Sequence, residues 1–210
     1  MILIGMFDSP FVRRVAVSMR LVGMDYEHRN WSVGADFDRI RAYNPLGRVP
    51  TLVLDDGTAL VESAAILDWI DEAAGERRLL AATGLARRNA LQLMAIAIGA
   101  AEKSVLQIYE RVFRPADKQH EPWLDRCRTQ VQGGFAELER ACAARAGSWL
   151  IGEQIGQADI TATCVFSFAR DALKLDAAAY PHLAALAARC EALPAFQAVR
   201  AEFHTPTPAA

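Results

Sequence analysis

Ile2-Leu3-Ile4-Gly5-Met6-Phe7-Asp8-Ser9-Pro10-Phe11-Val12-Arg13-Arg14-Val15 is an apolar run that passes into a helix start. Ile2 to Met6 fits a short buried strand. Ser9-Pro10 reads as a helix N-terminus. A serine hydroxyl accepts one of the backbone N–H groups a helix leaves unpaired, and proline suits the first helical position, where its missing N–H costs nothing. Val12, Val15, Met19 and Val22 follow at spacings of three and four, which gives one apolar helical face. Gly23 supplies the stop.

Outward from this unit the same alternation continues. Tyr26 to Trp31 reads as a second strand and Asp36 to Tyr43 as a short helix. Thr51-Leu52-Val53-Leu54 and Thr58-Ala59-Leu60-Val61 flank Asp55-Asp56-Gly57, a hairpin signal. Ser63 is expected to cap a further helix with Ile66, Leu67 and Ile70 on its inner face. The order β-α-β-α-β-β-α predicts a mixed sheet with helices packed on it.

Gly75 to Gly84, around Glu76-Arg77-Arg78, reads as a linker. Beyond it the pattern is helical: Leu85 to Phe113, Trp123 to Arg145, an apolar and therefore central Ala158 to Leu173, then Pro181 to Leu193 and Pro194 to Phe203. Leu91, Met94, Ile98, Val105 and Ile108 make the expected core or dimer seam of the first long helix. His204 to Pro208 reads as a loose tail. Two domains are expected, residues 1–78 and 85–210.

The chain has 210 residues, of which 52% are hydrophobic. A chain of this size buries roughly 70% of its extended surface and needs no staple. The net charge is −2 with the basic residues dispersed, which argues against a nucleic-acid footprint or a polybasic membrane anchor. The N-terminus lacks a basic n-region and meets Asp8 early, unlike a secretory signal. The longest apolar stretch, Leu93 to Ala101, falls short of the roughly 20 residues of a membrane span. A cytoplasmic protein is expected. Cys127, Cys142, Cys164 and Cys190 form no Cys-x-x-Cys pair and read as buried structural thiols rather than a zinc site.

Three segments carry the chemistry. They are Phe7 to Arg14, Asn44-Pro45-Leu46-Gly47-Arg48-Val49-Pro50-Thr51-Leu52, and Leu60-Val61-Glu62-Ser63-Ala64-Ala65-Ile66. Taken singly, each has a plain structural reading. Ser9 and Ser63 cap helices, Glu62 is an acid near a positive helix end, Val49-Pro50 is an ordinary trans strand entry, and Arg48 is a solvated cation.

In this order and at these positions the three segments resemble the N-terminal domain of cytosolic glutathione transferases, particularly bacterial ones with a Ser-Pro-Phe turn. The likeness continues through Trp149-Leu150-Ile151-Gly152 and Ala158-Asp159-Ile160. The resemblance implies a thioredoxin-like α/β N-terminal domain, an all-α helical-bundle C-terminal domain, glutathione as co-substrate, no metal, and a homodimer. It implies that Ser9 donates a hydrogen bond to the glutathione sulfur, that Val49 before a cis Pro50 pairs its backbone with the cysteinyl unit, that Glu62 and Ser63 clamp the γ-glutamyl end, and that Arg48 meets the glycyl carboxylate. Gly156 stands where the family's central-helix capping box has Ser or Thr, so Asp159 reads as a folding residue.

A thiol of pKa about 8.5 is only about 3% ionised at pH 7. A hydrogen bond to charged sulfur contributes about 1.5–3 kcal/mol, and a helix N-terminus up to about 1–2 kcal/mol. Together they can depress the thiol by about two units. Because thiolate nucleophilicity falls with pKa, most of the acceleration must come from holding the electrophile against the sulfur.

No tyrosine lies near the first helix, and no cysteine occupies position 9. Pro10-Phe11-Val12 also lacks the Ser-x-x-Cys signature of maleylacetoacetate isomerase relatives. The leading expectation is a transferase that conjugates glutathione to a small hydrophobic electrophile. A glutathione-dependent peroxidase or dehalogenase, or a non-catalytic partner-binding protein, are the alternatives. Tyr109, Arg111, Phe113 and Arg114 are considered for the electrophile pocket, with packing or solvated surface the plainer role of each.

Overall fold

The computed structural model describes residues 1–207 and divides into two compact units. The first holds residues 1–79 together with the segment that begins at Pro194; the second is Leu80–Leu193.

In the first unit the chain runs β1 (Ile2–Ile4), α1 (Pro10–Leu21), β2 (Glu27–Arg29), α2 (Phe37–Arg41), β3 (Thr51–Val53), β4 (Ala59–Val61) and α3 (Ser63–Ala74). The sheet order is β2-β1-β3-β4. β1 and β2 are parallel, with α1 as the crossover such a pair requires, while β3 is antiparallel to both β1 and β4. This is the thioredoxin-like arrangement. Leu3, Ile4 and Leu52 of the sheet and Val12, Val15 and Met19 of α1 have no exposed surface, and α1 packs on α3.

Three sequence expectations are corrected here. Ser63 does not cap α3; it is the first helical residue, and Glu62 occupies the cap with φ +68°. The helix expected over Pro194 to Phe203 is only α8 (Pro194–Gln197). α8 packs on α1, where the buried Arg13 donates from Nη2 to the Phe196 carbonyl and from Nε to that of Val199, both at 3.3 Å. The Phe196 carbonyl is shared between Arg13 and the Val199 N–H, also at 3.3 Å, and the fully buried Phe196 and Val199 complete the first unit instead of the helical half. The tail expected to be loose is pinned at His204, whose N–H donates to Asp8 at 3.0 Å; Pro208 lies outside the described residues.

The second unit contains α4 (Gly84–Phe113), α5 (Glu121–Ala144), α6 (Gln157–Leu173) and α7 (Pro181–Glu191). α6 is buried from Gln157 to Ala169, the central position its composition predicts. By length and composition α4 is long and apolar enough to cross a membrane, but within its unit it packs against α5 and α6. Its buried stripe is Ala90, Met94, Ala97, Ala101, Ser104 and Ile108, at alternating steps of four and three. The expected seam of large residues is only partly there, since Leu91 is 42% exposed. Small residues win because the helices approach closely: a Cβ on Gly134 of α5 would lie 3.0 Å from Ala100 Cβ.

α6 begins at Gln157 behind Gly156, which has no side chain to cap it. The fully buried Asp159 carboxylate accepts the N–H of Gly156 at 3.0 Å and of Leu150 at 2.9 Å. Burial pushes the Asp159 carboxyl up, against the pull of those two donors. All four cysteines are free and buried, and burial pushes the Cys142 and Cys190 thiols up to about 12.

α7 opens at Pro181, which has no N–H, behind Tyr180, whose side chain makes no cap. Glu139 of α5 caps it from outside, accepting the N–H of His182 at 3.1 Å and of Leu183 at 2.8 Å, and meeting His182 Nδ1 at 2.6 Å. Burial opposes the charge on Glu139, but the Leu183 and His182 contacts outweigh it and keep its pKa below the usual value. Glu139→Ala is expected to cost about 1–2 kcal/mol at neutral pH, as loss of a helix cap does. Because the folded pKa is depressed, that contribution is present above the unfolded pKa of 4.5 and is lost as pH falls through the lower folded value. Urea midpoints of the two proteins should therefore converge in acid.

Candidate active site

The first unit gathers the residues the sequence singles out. Ser9 is the N-cap of α1, with extended backbone (φ −71°, ψ 125°) and proline next. Its Oγ accepts the Val12 N–H at a long 3.5 Å. Oγ donates no hydrogen bond among the described residues, so its proton remains to be given. It lies where the unpaired N–H groups and the positive end of α1 favour an anion.

The Val49–Pro50 peptide is cis. Neither the N–H nor the C=O of Val49 makes a backbone hydrogen bond among the described residues, which leaves an open donor–acceptor pair just before β3. Gly5, at φ +130°, ties this segment to the head of α1: a Cβ there would lie 2.6 Å from Val12 Cγ2 and 2.8 Å from Val49 Cβ. Only glycine admits that approach and that conformation.

Glu62 keeps a positive φ that a non-glycine residue rarely adopts, a strain of the kind that concentrates at functional sites. Its carboxylate pairs with Arg48 at 3.4 Å, both side chains about half exposed. Thus two residues predicted to serve opposite ends of one ligand face each other. Such an exposed pair is worth about 0–1 kcal/mol and opens cheaply. Ser63 is buried, and its Oγ accepts from Arg14 Nη2 at 2.8 Å. Its own proton is thereby left for another acceptor.

Within the Phe7 to Arg14 segment, the sequence reading gave no role to two charged side chains. Arg14 is 1% exposed and links α1, which carries Ser9 at its head, to Ser63 at the head of α3. A pair of consecutive arginines beside the apolar Val12, Val15, Ala16 and Val17 was the available signal. Asp8, beside Ser9, has its carboxyl pushed up by burial, against the opposing pull of His204. Of the residues considered for a pocket wall, Tyr109 and Phe113 pack edge to face with centroids 5.1 Å apart. Arg111 pairs with Glu121 at 2.7 Å and Arg114 with Glu110 at 2.9 Å.

Residues 3–78 match the model of the glutathione S-transferase N-terminal domain, and residues 121–201 that of its C-terminal domain. A zeta-class glutathione S-transferase of Euphorbia esula is 30% identical over 201 residues, covering 91% of this chain and 85% of the relative. A probable maleylacetoacetate isomerase of Vibrio cholerae is 28% identical and covers 93% of each chain. Among solved structures, a glutathione S-transferase of Methylobacterium radiotolerans, crystallised with glutathione sulfonate, superposes with a TM-score of 0.88 at 28% identity. That match covers 100% of this chain and 95% of the other.

Proposed function

Since this chain belongs to the glutathione S-transferase family, we propose that it binds glutathione at the head of α1 and directs the sulfur onto a small hydrophobic electrophile. The observation that carries this reading is Ser9, a hydroxyl at a helix N-terminus whose oxygen is used by Val12 and whose proton is not. A thiolate there receives one charge-assisted hydrogen bond and the positive helix end.

The remaining residues take up the tripeptide. The open N–H and C=O of Val49 pair with the cysteinyl backbone as an added antiparallel strand does. Ser63 gives its hydroxyl proton to the γ-glutamyl carboxylate, beside the Arg14 charge. Glu62 accepts from the ammonium, and Arg48, released from Glu62, meets the glycyl carboxylate. The reaction forms a carbon–sulfur bond and expels a leaving group, or adds sulfur and a proton across an activated double bond.

A second reading draws on the whole-length likeness to proteins named as maleylacetoacetate isomerases. There the same thiolate adds to a cis double bond and leaves again after rotation, so glutathione is not consumed. Pro10-Phe11-Val12 differs from the Ser-x-x-Cys signature, and conjugation is the reading preferred here.

Calorimetric titration with glutathione, followed by assays with a chloronitroarene and with a cis-olefinic keto acid, tests both. Binding with conjugate formation is the expected result. Isomerisation with glutathione unconsumed would move the reading to the second reaction. Binding without turnover of either compound would favour a partner-binding role, and no binding at saturating glutathione would remove the enzymatic reading.

A further inference from the structure

The turn between β1 and α1 is gripped from outside by β2. The ladder that pairs β1 with β2 runs one residue past β1, as the Gly5 N–H donates to the Arg29 carbonyl at 2.9 Å. His28 takes the other side of the same residue, with Nε2 2.8 Å from the Gly5 carbonyl oxygen. A carbonyl only accepts, so Nε2 carries the proton and donates. The same imidazole lies flat on Phe7, with ring centroids 3.8 Å apart and planes 6° from parallel. One side chain thus fixes a carbonyl and a ring on either side of Met6, whose own carbonyl accepts the Ser9 N–H at 3.2 Å.

Gly5 is also the wedge between Val12 and Val49, the two segments a Cβ at that position would strike. Val12 supplies the N–H that orients the Ser9 hydroxyl, and Val49 supplies the open backbone pair. A shift of Gly5 therefore displaces both halves of the sulfur site together. We infer that His28 is a positioning residue for the reaction, acting through Gly5 and Phe7 to aim the Ser9 hydroxyl at the glutathione sulfur. This inference rests on the reading of Ser9 given above.

The test uses the full-length protein and glutathione. The pKa of the bound thiol is read from ultraviolet thiolate absorption across pH, and kcat from conjugation of a chloronitroarene. His28→Ala should raise the bound-thiol pKa and lower neutral-pH kcat about two- to threefold, through misplacement at the reacting centre and by no more than loss of the Ser9 hydroxyl itself. His28→Gln keeps a donor for the Gly5 carbonyl and should restore most of both. If His28→Ala does not fold, His28→Phe takes its place, because it keeps a ring against Phe7 without that donor.

A bound-thiol pKa left at the wild-type value in the donor-less variant overturns the inference, even where thermal stability falls, since a merely structural role moves stability alone. Failure of the wild-type protein to bind glutathione or to form a thiolate overturns the underlying reading of Ser9, and this inference with it. The wild-type titration separates the two failures.

Discussion

Ser9→Ala is expected to raise the pKa of bound glutathione by about one to two units, the equivalent of losing one hydrogen bond to a charged sulfur. The helix end remains and continues to favour the anion, so the thiol does not return fully to its free value. At neutral pH fewer sulfurs are ionised, but each is more nucleophilic, and the Brønsted slope returns about half of the loss. Starting from a thiol about two units below its free value, turnover should fall no more than about fourfold at pH 7, and the deficit should close as the pH passes the variant's new thiol pKa. Glutathione affinity should change little, because in the proposed binding mode Val49, Glu62 and Ser63 grip the tripeptide. Stability should fall by about 0.5–1 kcal/mol, the low end for a lost cap, since the Val12 contact is already long at 3.5 Å. An identical pH–rate profile in the alanine variant would take Ser9 out of the mechanism.

The largest loss of stability is expected from Asp159→Ala. Its carboxylate, fully buried, accepts two backbone N–H groups at the entrance of α6, from Leu150 and Gly156. Truncation leaves both donors without a partner, each costing about 1–3 kcal/mol. Gly156 offers no side chain as a substitute. A combined loss of about 3–5 kcal/mol is a large share of the roughly 5–15 kcal/mol that holds a folded protein together, and should lower the melting temperature by about 10 °C or more. Asp159→Asn keeps one accepting oxygen and should lose less. Thermal unfolding of the three proteins checks the order, and a melting point for the alanine variant within a few degrees of wild type would refute the capping role.

What the sequence revealed follows from how far apart the interacting residues lie. Ser9-Pro10 and Asp56-Gly57 are local signals, and α1 and the β3–β4 hairpin stand where they point. Ser63 looked like another cap, yet its hydroxyl is engaged by Arg14, 49 positions earlier. No window of neighbouring residues contains that pairing. Likewise, Asp8 meets His204 across 196 positions, so a stretch that reads as loose by composition is tethered. On α4 the apolar period was legible and Met94 and Ile108 do lie on the buried face, but Leu91 does not, and small residues take much of that face where α5 comes close at Gly134 and Ala100. The strained Glu62 backbone leaves no mark in composition, and only the family resemblance pointed to that residue.

Two stretches far apart in the sequence build one unit, and this has a consequence for biosynthesis. A nascent chain that has emerged as far as Leu79 has all four strands but lacks Phe196 and Val199, and Arg13 has not yet met their carbonyls. The first unit therefore lacks these contacts as it leaves the ribosome; it gains them once Pro194 to Val199 have been translated, after the helical half has been made. An excised fragment of residues 1–79 inherits the same incompleteness. Joining that fragment through a flexible tether to a peptide that starts at Pro194 supplies the missing contacts in a single short molecule.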